Sequence, residues 1–212
     1  MTTVPNAPTG KTAHVDTFCR DHLPPRELWP VMDYALPELA YPPQLNCATE
    51  LLDRNVENGD GDRTAFLFPG GRWTYRDVLE MSNRIAHVLI SDLGIVPGNR
   101  VLLRGPNSPM MAACWFAVVK VGAVVVCTMP LLRVRELTYI ADKAEISLAL
   151  CDARFGAECE AAMQQSGAGK PRAGARTVHF ASNEPGSLER MMAGKPVTFT
   201  NCMTAADDTV LI

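Results

Sequence analysis

The stretch RVLLRGPNSPMMAACWFAVVKVGAVVVCTMPLLRVRELTYIADKAEISLALCD, residues 100–152, decides the fold of this chain. It contains three short apolar runs, at residues 101–103, 123–127 and 147–151, and two longer segments between them. An alternation of strand and helix favours right-handed crossovers and a parallel sheet that is covered on both faces. We therefore predict an α/β fold with a parallel sheet as its core and helices on both sides of that sheet.

The two intervening segments carry the signals of helices. Ser108 and Pro109 supply a hydroxyl N-cap followed by a proline at the first helical position. Residues 110–121 are apolar on almost every face, and because a bilayer span needs about 20 such residues, this shorter segment predicts a buried helix. Residues 133–144 repeat apolar side chains at three- and four-residue spacing, which predicts an amphipathic helix.

The composition is that of an ordinary globular protein. The chain has 212 residues, of which 47% are hydrophobic and 20% charged. A net charge of −3 provides no basic footprint for nucleic acid or for anionic lipid, so neither partner is expected. No charged-then-apolar leader opens the chain, and its seven cysteines include no CxxC pair. We predict a cytoplasmic protein whose reduced cysteines pack as small buried hydrophobes and hold no metal.

The first 45 residues differ in character from the core. Residues 1–15 are polar and lack periodicity, which predicts a disordered tail. Residues 16–45 are rich in proline, which prevents long helices and favours an extended strap across the surface of the domain. The side chains expected to pin this strap are Phe18, Leu28, Trp29, Tyr34 and Tyr41.

Between the strap and the core, the sequence predicts a helix, a hairpin and a second helix. Residues 46–58 form a short helix with Asn46 as its N-cap, and residues 64–75 read as a hairpin around two glycines. Thr74 and Asp77 resemble a capping box at the start of the next helix. His87 lies off the apolar face of that helix, so we interpret it as a rim histidine rather than a catalytic one.

Beyond the core, we expect a further helix at residues 153–165 and then a loop that mimics a phosphate loop. A phosphate loop requires GxxxxGK followed by serine or threonine. Here Gln164 stands in place of the first glycine, and Pro171 follows Lys170 in place of the hydroxyl residue, so the stretch is interpreted as an exposed loop. Residues 210–212 begin another apolar strand, which is expected to be buried, so the chain is interpreted as an incomplete domain. An uncovered sheet edge of this kind is expected to promote self-association.

Three stretches resemble, in order and in spacing, motifs of the AMP-forming acyl-CoA synthetases, the adenylate-forming ligase family: WTYRDVL at 73–79, GIVPGNRVLLRGPNSP at 94–109, and VVKVGAVVVCTMPLLRVREL at 118–137. Asn99 stands where the family has an aspartate, and Met110 stands where it usually has a glutamate. The resemblance covers residues 46–212 and implies an amino-terminal α/β sub-domain. Residues 41–53 are most similar to the branch of 2-aminobenzoate–CoA and benzoate–CoA ligases.

The resemblance implies a two-step reaction for the parent protein. A carboxylate of an aromatic acid attacks the α-phosphate of ATP with Mg²⁺, and the thiol of CoA then displaces AMP from the acyl-adenylate. The family's phosphate loop resembles TSGTTGxPKG and follows a strand such as residues 209–212, so it lies outside this sequence. We therefore expect no catalytic residue in this fragment, which should be inactive, and no tightly bound cofactor.

Two arginines are the candidate site residues. In α/β sheets, ligands bind beyond the carboxyl ends of strands at a topological switch point. The resemblance places part of the CoA nucleotide cleft beside the ends at residues 128–132 and 151–154, which makes Arg154 and Arg133 candidates for contacts to the CoA phosphates. The alternative is that both are surface arginines at helix starts.

Two other functions remain open on the sequence. The chain could be a non-enzymatic α/β module that binds a nucleotide or a protein, and a natural stop codon after Ile212 would favour that alternative. A Rossmann-type dinucleotide enzyme is the second rival. The absence of GxGxxG after any predicted strand argues against it, because the turn at residues 105–107 cannot bring backbone N–H groups onto a pyrophosphate in the same way.

Overall fold

A computed structural model describes residues 11–30, 41–167 and 175–212 of the chain. The strands are β1 (Thr64–Phe68), β2 (Gly71–Thr74), β3 (Arg100–Arg104), β4 (Val124–Thr128), β5 (Leu148–Asp152) and β6 (Arg176–Phe180). The α-helices are α1 (Phe18–Asp21), α2 (Tyr75–His87), α3 (Pro109–Lys120), α4 (Val134–Lys143), α5 (Gly156–Gln165) and α6 (Leu188–Met192). Shorter helical segments are Arg26–Leu28, Thr49–Asp53, Val56–Asp60, Val88–Asp92 and Ala153–Phe155.

Four parallel strands form the central sheet in the order β4-β3-β5-β6, with helices on both faces. Leu102 of β3 and Ala149 of β5 are fully buried in a cluster with residues of α4 and α5. Val101 and Leu103 point to the other face and are fully buried in a cluster with residues of α2, α3 and α6. The predicted α/β class, with a covered parallel sheet, is confirmed.

The local signals in the sequence form the predicted contacts. Ser108 caps α3 by accepting a hydrogen bond from the N–H of Met111 at 3.1 Å. Thr74 and Asp77 form the predicted capping box at the start of α2. The Oδ1 atom of Asn46 accepts a hydrogen bond from the backbone N–H of Ala48 at 3.0 Å. Strands β1 and β2 pair as the predicted antiparallel hairpin, with one irregularity in register.

Polar contacts hold the amino-terminal segment against the sheet. The hydroxyl of Thr12 and the N–H of Ala13 both donate to the carboxylate of Asp208, the latter at 3.0 Å. Asp16 forms an ion pair with the fully buried side chain of Arg100. Burial alone would raise the pKa of Asp16, but hydrogen bonds, the first of them from Arg100, lower that pKa overall. Residues 11–15, predicted to belong to a disordered tail, are thus tied to the domain, while residues 1–10 lie outside the described residues.

Three of the side chains expected to hold the strap against the domain are exposed to solvent instead. Leu28, Trp29 and Tyr41 are exposed by 70%, 38% and 56%, whereas Tyr34 lies outside the described residues. The ring of Phe18 does anchor the segment, because the Arg100 guanidinium stacks on it at 4.4 Å from the ring centre. Contacts of the buried Arg100 with Asp16 and Phe18 therefore hold the segment, in place of the expected apolar contacts.

A buried ion pair joins the end of α3 to the segment Thr49–Asp53. The side chain of Lys120 is fully buried, and its ammonium pairs with Asp53 and donates to Asn201 at 3.2 Å. Asn201 in turn donates to the hydroxyl of Thr49 at 2.7 Å. Burial lowers the pKa of Lys120, and the neighbouring Asp53 opposes that shift. The network fixes three separate parts of the chain around one buried charge.

The last three residues lie along the outer edge of β4. Val210 accepts a hydrogen bond from the N–H of Val125 at 2.9 Å, and Ile212 donates to the carbonyl of Val125 at 3.0 Å. These residues start a pairing with the sheet, but the prediction that they are buried is wrong for Leu211 and Ile212, which are 54% and 50% exposed. The reason is their position at the rim, where no further strand of the described chain covers them.

Four cysteines, namely Cys19, Cys114, Cys151 and Cys159, are buried as expected, whereas Cys47 and Cys202 are only half-buried. Cys127 contradicts that expectation because it lies near the end of the edge strand β4, where its side chain is exposed. Within the ranges that the structure describes, none of the helices has the length and apolar character needed to cross a bilayer.

Candidate functional site

The carboxyl ends of β4, β3 and β5 form one edge of the sheet, which we call the carboxyl edge. Arg104 ends β3, the turn at residues 129–132 follows β4, and Asp152 ends β5. Because β3 lies between the other two strands, its last residue is flanked by both neighbouring ends. This edge is the position where parallel α/β sheets bind ligands.

Arg104 is the buried centre of the carboxyl edge. Its side chain is fully buried, and its guanidinium donates to the carbonyl oxygens of Met129, Pro130 and Leu132 at 3.0, 2.9 and 2.8 Å. It also donates to the carboxylate of Glu158 on α5 at 3.2 Å. One side chain therefore satisfies three carbonyl groups of the turn after β4 and connects that turn to α5.

Arg133 lies at the start of α4, at the outer end of the same turn. Its side chain is 76% exposed and forms an ion pair with Glu158, the same carboxylate that Arg104 contacts. The backbone N–H of Arg133 donates to Glu136 at 3.1 Å, which caps the start of the helix. The predicted site residue thus faces solvent and is connected to the buried centre through one glutamate.

Arg154 lies just after β5 and is 66% exposed. Its Nε and Nη2 atoms donate to the two carboxylate oxygens of Asp152 at 2.9 and 2.7 Å, and its backbone N–H donates to the same carboxylate at 3.0 Å. The side-chain hydrogen bond from Arg154 is the main reason why the pKa of Asp152 is lowered. The side chain of Asp152 is only 1% exposed, so the guanidinium is held in place by a fixed, ionised carboxylate.

Phe155 lies between Arg154 and the buried Arg104, which shares Glu158 with Arg133. The guanidinium carbons of Arg104 and Arg154 both lie 5.9 Å from the centre of the Phe155 ring. The structure therefore brings Arg133 and Arg154 to one edge of the sheet, Arg133 through Glu158 and Arg154 through Phe155. Two exposed guanidiniums held in this way are suited to bidentate contacts with phosphate oxygens.

Three residues of this edge were not predicted from the sequence, namely Arg104, Glu158 and Phe155. A charged residue that directly follows a buried apolar run was the available signal for Arg104. Glu158 lies in the first turn of α5 and has no distinctive local pattern. The described residues contain no group of three histidine, cysteine or acidic side chains placed to hold a metal ion.

A second, open groove of about 380 Å³ lies beside α2. The residues that line it are Arg72, Trp73, Asp77, Glu80, Met81 and Arg84. The lining contains two acidic and two basic side chains, and Arg84 donates to the carbonyl of Lys195 at 2.7 Å. His87 lies farther along α2, where its ring hydrogen-bonds with the carbonyl of Thr198 at 2.8 Å, as suits a rim histidine.

The family profile of AMP-binding enzymes matches residues 52–212. This chain belongs to the AMP-binding enzyme family. Among its relatives, a 3-hydroxybenzoate–CoA/4-hydroxybenzoate–CoA ligase of Thauera aromatica is 31% identical over 111 residues, which are 52% of this chain and 21% of that ligase. A crotonobetaine/carnitine–CoA ligase of Salmonella paratyphi B is 34% identical over 100 residues, which are 45% of this chain and 19% of that ligase.

Solved structures of CoA ligases share the fold of this chain. An anthranilate CoA ligase in complex with anthranoyl-AMP aligns with a TM-score of 0.72 at 22% identity, over 85% of this chain and 32% of that one. A benzoate CoA ligase from Burkholderia xenovorans LB400 aligns with a TM-score of 0.68 at 20% identity, over 79% of this chain and 32% of that one.

The chain spans about a fifth of the curated ligases and about a third of the solved ones. The predicted adenylate-forming family and the predicted fold are both confirmed. The chain corresponds to one part of the larger domain that these ligases contain.

Proposed function

We propose that this chain is the amino-terminal part of a cytoplasmic aryl-CoA ligase, which joins an aromatic acid to CoA and converts ATP to AMP and pyrophosphate. Two observations support an aromatic substrate. The relative from Thauera aromatica is a hydroxybenzoate–CoA ligase, and the anthranilate ligase that shares the fold was solved with anthranoyl-AMP. In this proposal, ATP, Mg²⁺ and CoA are the cofactors of the parent enzyme.

Within that enzyme, we infer that the carboxyl edge contributes to the cleft for the nucleotide part of CoA. The observation that carries this proposal is the convergence of Arg133 and Arg154 on one edge, each exposed and each held by a carboxylate. CoA carries several phosphate groups, and planar guanidiniums recognise phosphate in a bidentate manner. In this proposal, the phosphates compete with Glu158 for Arg133 and with Asp152 for Arg154.

Calorimetric titration of the 212-residue chain with CoA tests this assignment. We expect CoA to bind, and we expect Arg154→Ala and Arg133→Ala each to weaken binding by about 10- to 150-fold, since a hydrogen bond to a charged group contributes roughly 1.5–3 kcal/mol. Arg135→Ala is the matched control, because it removes the same charge from an exposed position two residues from Arg133. ATP with Mg²⁺ is expected not to bind.

Two results would contradict the assignment. If Arg135→Ala weakened CoA binding as much as Arg133→Ala, general electrostatic attraction rather than a defined site would account for the affinity. If the wild-type chain bound neither CoA nor ATP, Arg133 and Arg154 would be surface arginines, and the chain would be a scaffold for a site that lies elsewhere in the ligase.

We also propose that the chain alone self-associates through the β4 edge patch, formed by Met129, Leu131, Leu211 and Ile212. These side chains are 50–77% exposed around an edge strand, and such surfaces pair readily with another copy. Light scattering is expected to show dimers or larger species that Leu131→Lys shifts toward monomer. Leu67→Lys, at an 82% exposed site on the hairpin, should not do so. A clean monomer at high concentration would argue against the proposal.

A further inference from the structure

We propose that Arg104 is a positioning residue for Arg133, one of the two proposed phosphate-binding arginines of the carboxyl edge. This inference rests on the proposed function, because it concerns how that site is held rather than whether the protein is a ligase. Arg104 is fully buried, so it does not itself touch a ligand at the surface. Its effect on the site passes through the turn after β4 and through Glu158.

The first step is the shape of the turn. Three hydrogen bonds from the Arg104 guanidinium, to the carbonyls of Met129, Pro130 and Leu132, fix the turn that leads into Arg133. The Met129 carbonyl also accepts a hydrogen bond from the N–H of Leu132 at 3.2 Å, so the Arg104 contacts matter most for the carbonyls of Pro130 and Leu132, and carbonyls left without a partner cost free energy. Without Arg104, this turn would have to rearrange toward water, and Arg133 would move with it.

The second step is the sharing of Glu158 between two arginines. Its Oε2 atom contacts the buried Arg104 at 3.2 Å, and its Oε1 atom pairs with the exposed Arg133. When Arg133 turns toward a phosphate, Glu158 keeps Arg104 as its partner and stays in place. Arg104 therefore lowers the cost of transferring Arg133 from the glutamate to the ligand, because no carboxylate is left unpaired.

The third step separates this role from a merely structural one. Arg100 lies at the opposite end of β3, is equally buried, and donates in the same way to backbone carbonyls, those of Gly98, Ala144 and Glu145. The two arginines thus stabilise the fold by the same kind of contact, but only Arg104 lies at the carboxyl edge. Arg100 provides a matched control within the same strand.

The experiment compares Arg104→Met, Arg104→Lys and Arg100→Met, using two measurements under conditions where each variant is folded. The first is the rate of tryptic cleavage after Arg133, which reports the order of the turn and needs no ligand. The second is calorimetric titration with CoA. We expect Arg104→Met to raise cleavage after Arg133 selectively and to weaken CoA binding by about 2- to 30-fold, whereas Arg100→Met changes neither.

Combined variants test whether Arg104 acts through Arg133. In the Arg104→Met background, Arg133→Ala should cause almost no further loss of CoA affinity, while Arg154→Ala should still weaken binding. Arg104→Lys keeps the charge but cannot span the three carbonyls, so it should behave like Arg104→Met.

The outcomes distinguish the two proposals. One possible result is that the wild-type chain does not bind CoA, while tryptic cleavage after Arg133 increases in the Arg104 variants and not in Arg100→Met. The positioning role then stands, and the assignment of CoA to this edge fails. Equal effects of Arg100→Met and Arg104→Met on both measurements would overturn the positioning role, as would Arg104 variants that bind CoA with wild-type affinity.

Discussion

Replacement of Asp53 by alanine is expected to lower the free energy of unfolding by about 3–5 kcal/mol, because it leaves the buried ammonium of Lys120 without its carboxylate partner. The side chain of Lys120 is fully buried, and that of Asp53 is only 14% exposed. Asn201 still contacts Lys120 at 3.2 Å, but an amide oxygen cannot neutralise the charge. Urea unfolding of the wild type and the variant, monitored by circular dichroism, measures the difference.

The matched control for this prediction is a second Lys–Asp pair. Lys195 and Asp92 lie 2.7 Å apart with side chains that are 24% and 30% exposed, so Asp92→Ala should cost less than about 1 kcal/mol. The double variant Asp53→Leu with Lys120→Met, which removes both charges, should recover much of the loss. If Asp53→Ala and Asp92→Ala were equally mild, Lys120 would have to be hydrated rather than buried as the structure shows.

Gly98→Ala is expected to detach the amino-terminal segment from the sheet. Gly98 has a φ of +88°, which costs an alanine about 1–2 kcal/mol, and a Cβ atom there would lie 2.1 Å from the carbonyl oxygen of Asp16. Backbone atoms cannot move aside as a flexible side chain can, so Asp16 would be displaced from Arg100. We expect a total loss of about 3 kcal/mol or more, since the contacts of a buried charge are lost as well.

Gly94→Ala isolates the effect of backbone strain. Gly94 has a φ of +67°, and a Cβ atom there would meet nothing within 4 Å, so this variant should lose only the cost of the left-handed conformation. Urea unfolding gives the two free energies. Proteolysis after Arg20 should accelerate in Gly98→Ala but not in Gly94→Ala. Equal stabilities of the two variants would show that the segment does not pack as described.

Much of the fold follows from local patterns in the sequence. The apolar runs of β3, β4 and β5 and the caps at Ser108 and Thr74 depend on nearby residues, so they could be predicted without tertiary information. The location of Arg133 and Arg154 at one edge could also be predicted, because parallel strands direct their carboxyl ends to the same side.

The buried charges could not be predicted in the same way. Arg104 and Lys120 are polar by any hydropathy scale, and their burial depends on partners distant in sequence, such as Leu132 and Asp53. The amino-terminal segment was misjudged for the same reason. Its polar composition suggested disorder for residues 11–15, yet one carboxylate of Asp208, almost 200 residues away, holds that segment in place.

The most direct test of the central claim, that the carboxyl edge binds the nucleotide part of CoA, is a titration of ¹⁵N-labelled protein with CoA followed by ¹H–¹⁵N correlation spectra. We predict saturable shifts confined to residues 129–135 and 152–158, together with their loss in Arg133→Ala and Arg154→Ala. Shifts concentrated in the groove beside α2, around Trp73 and Met81, or no shifts at all, would contradict the claim.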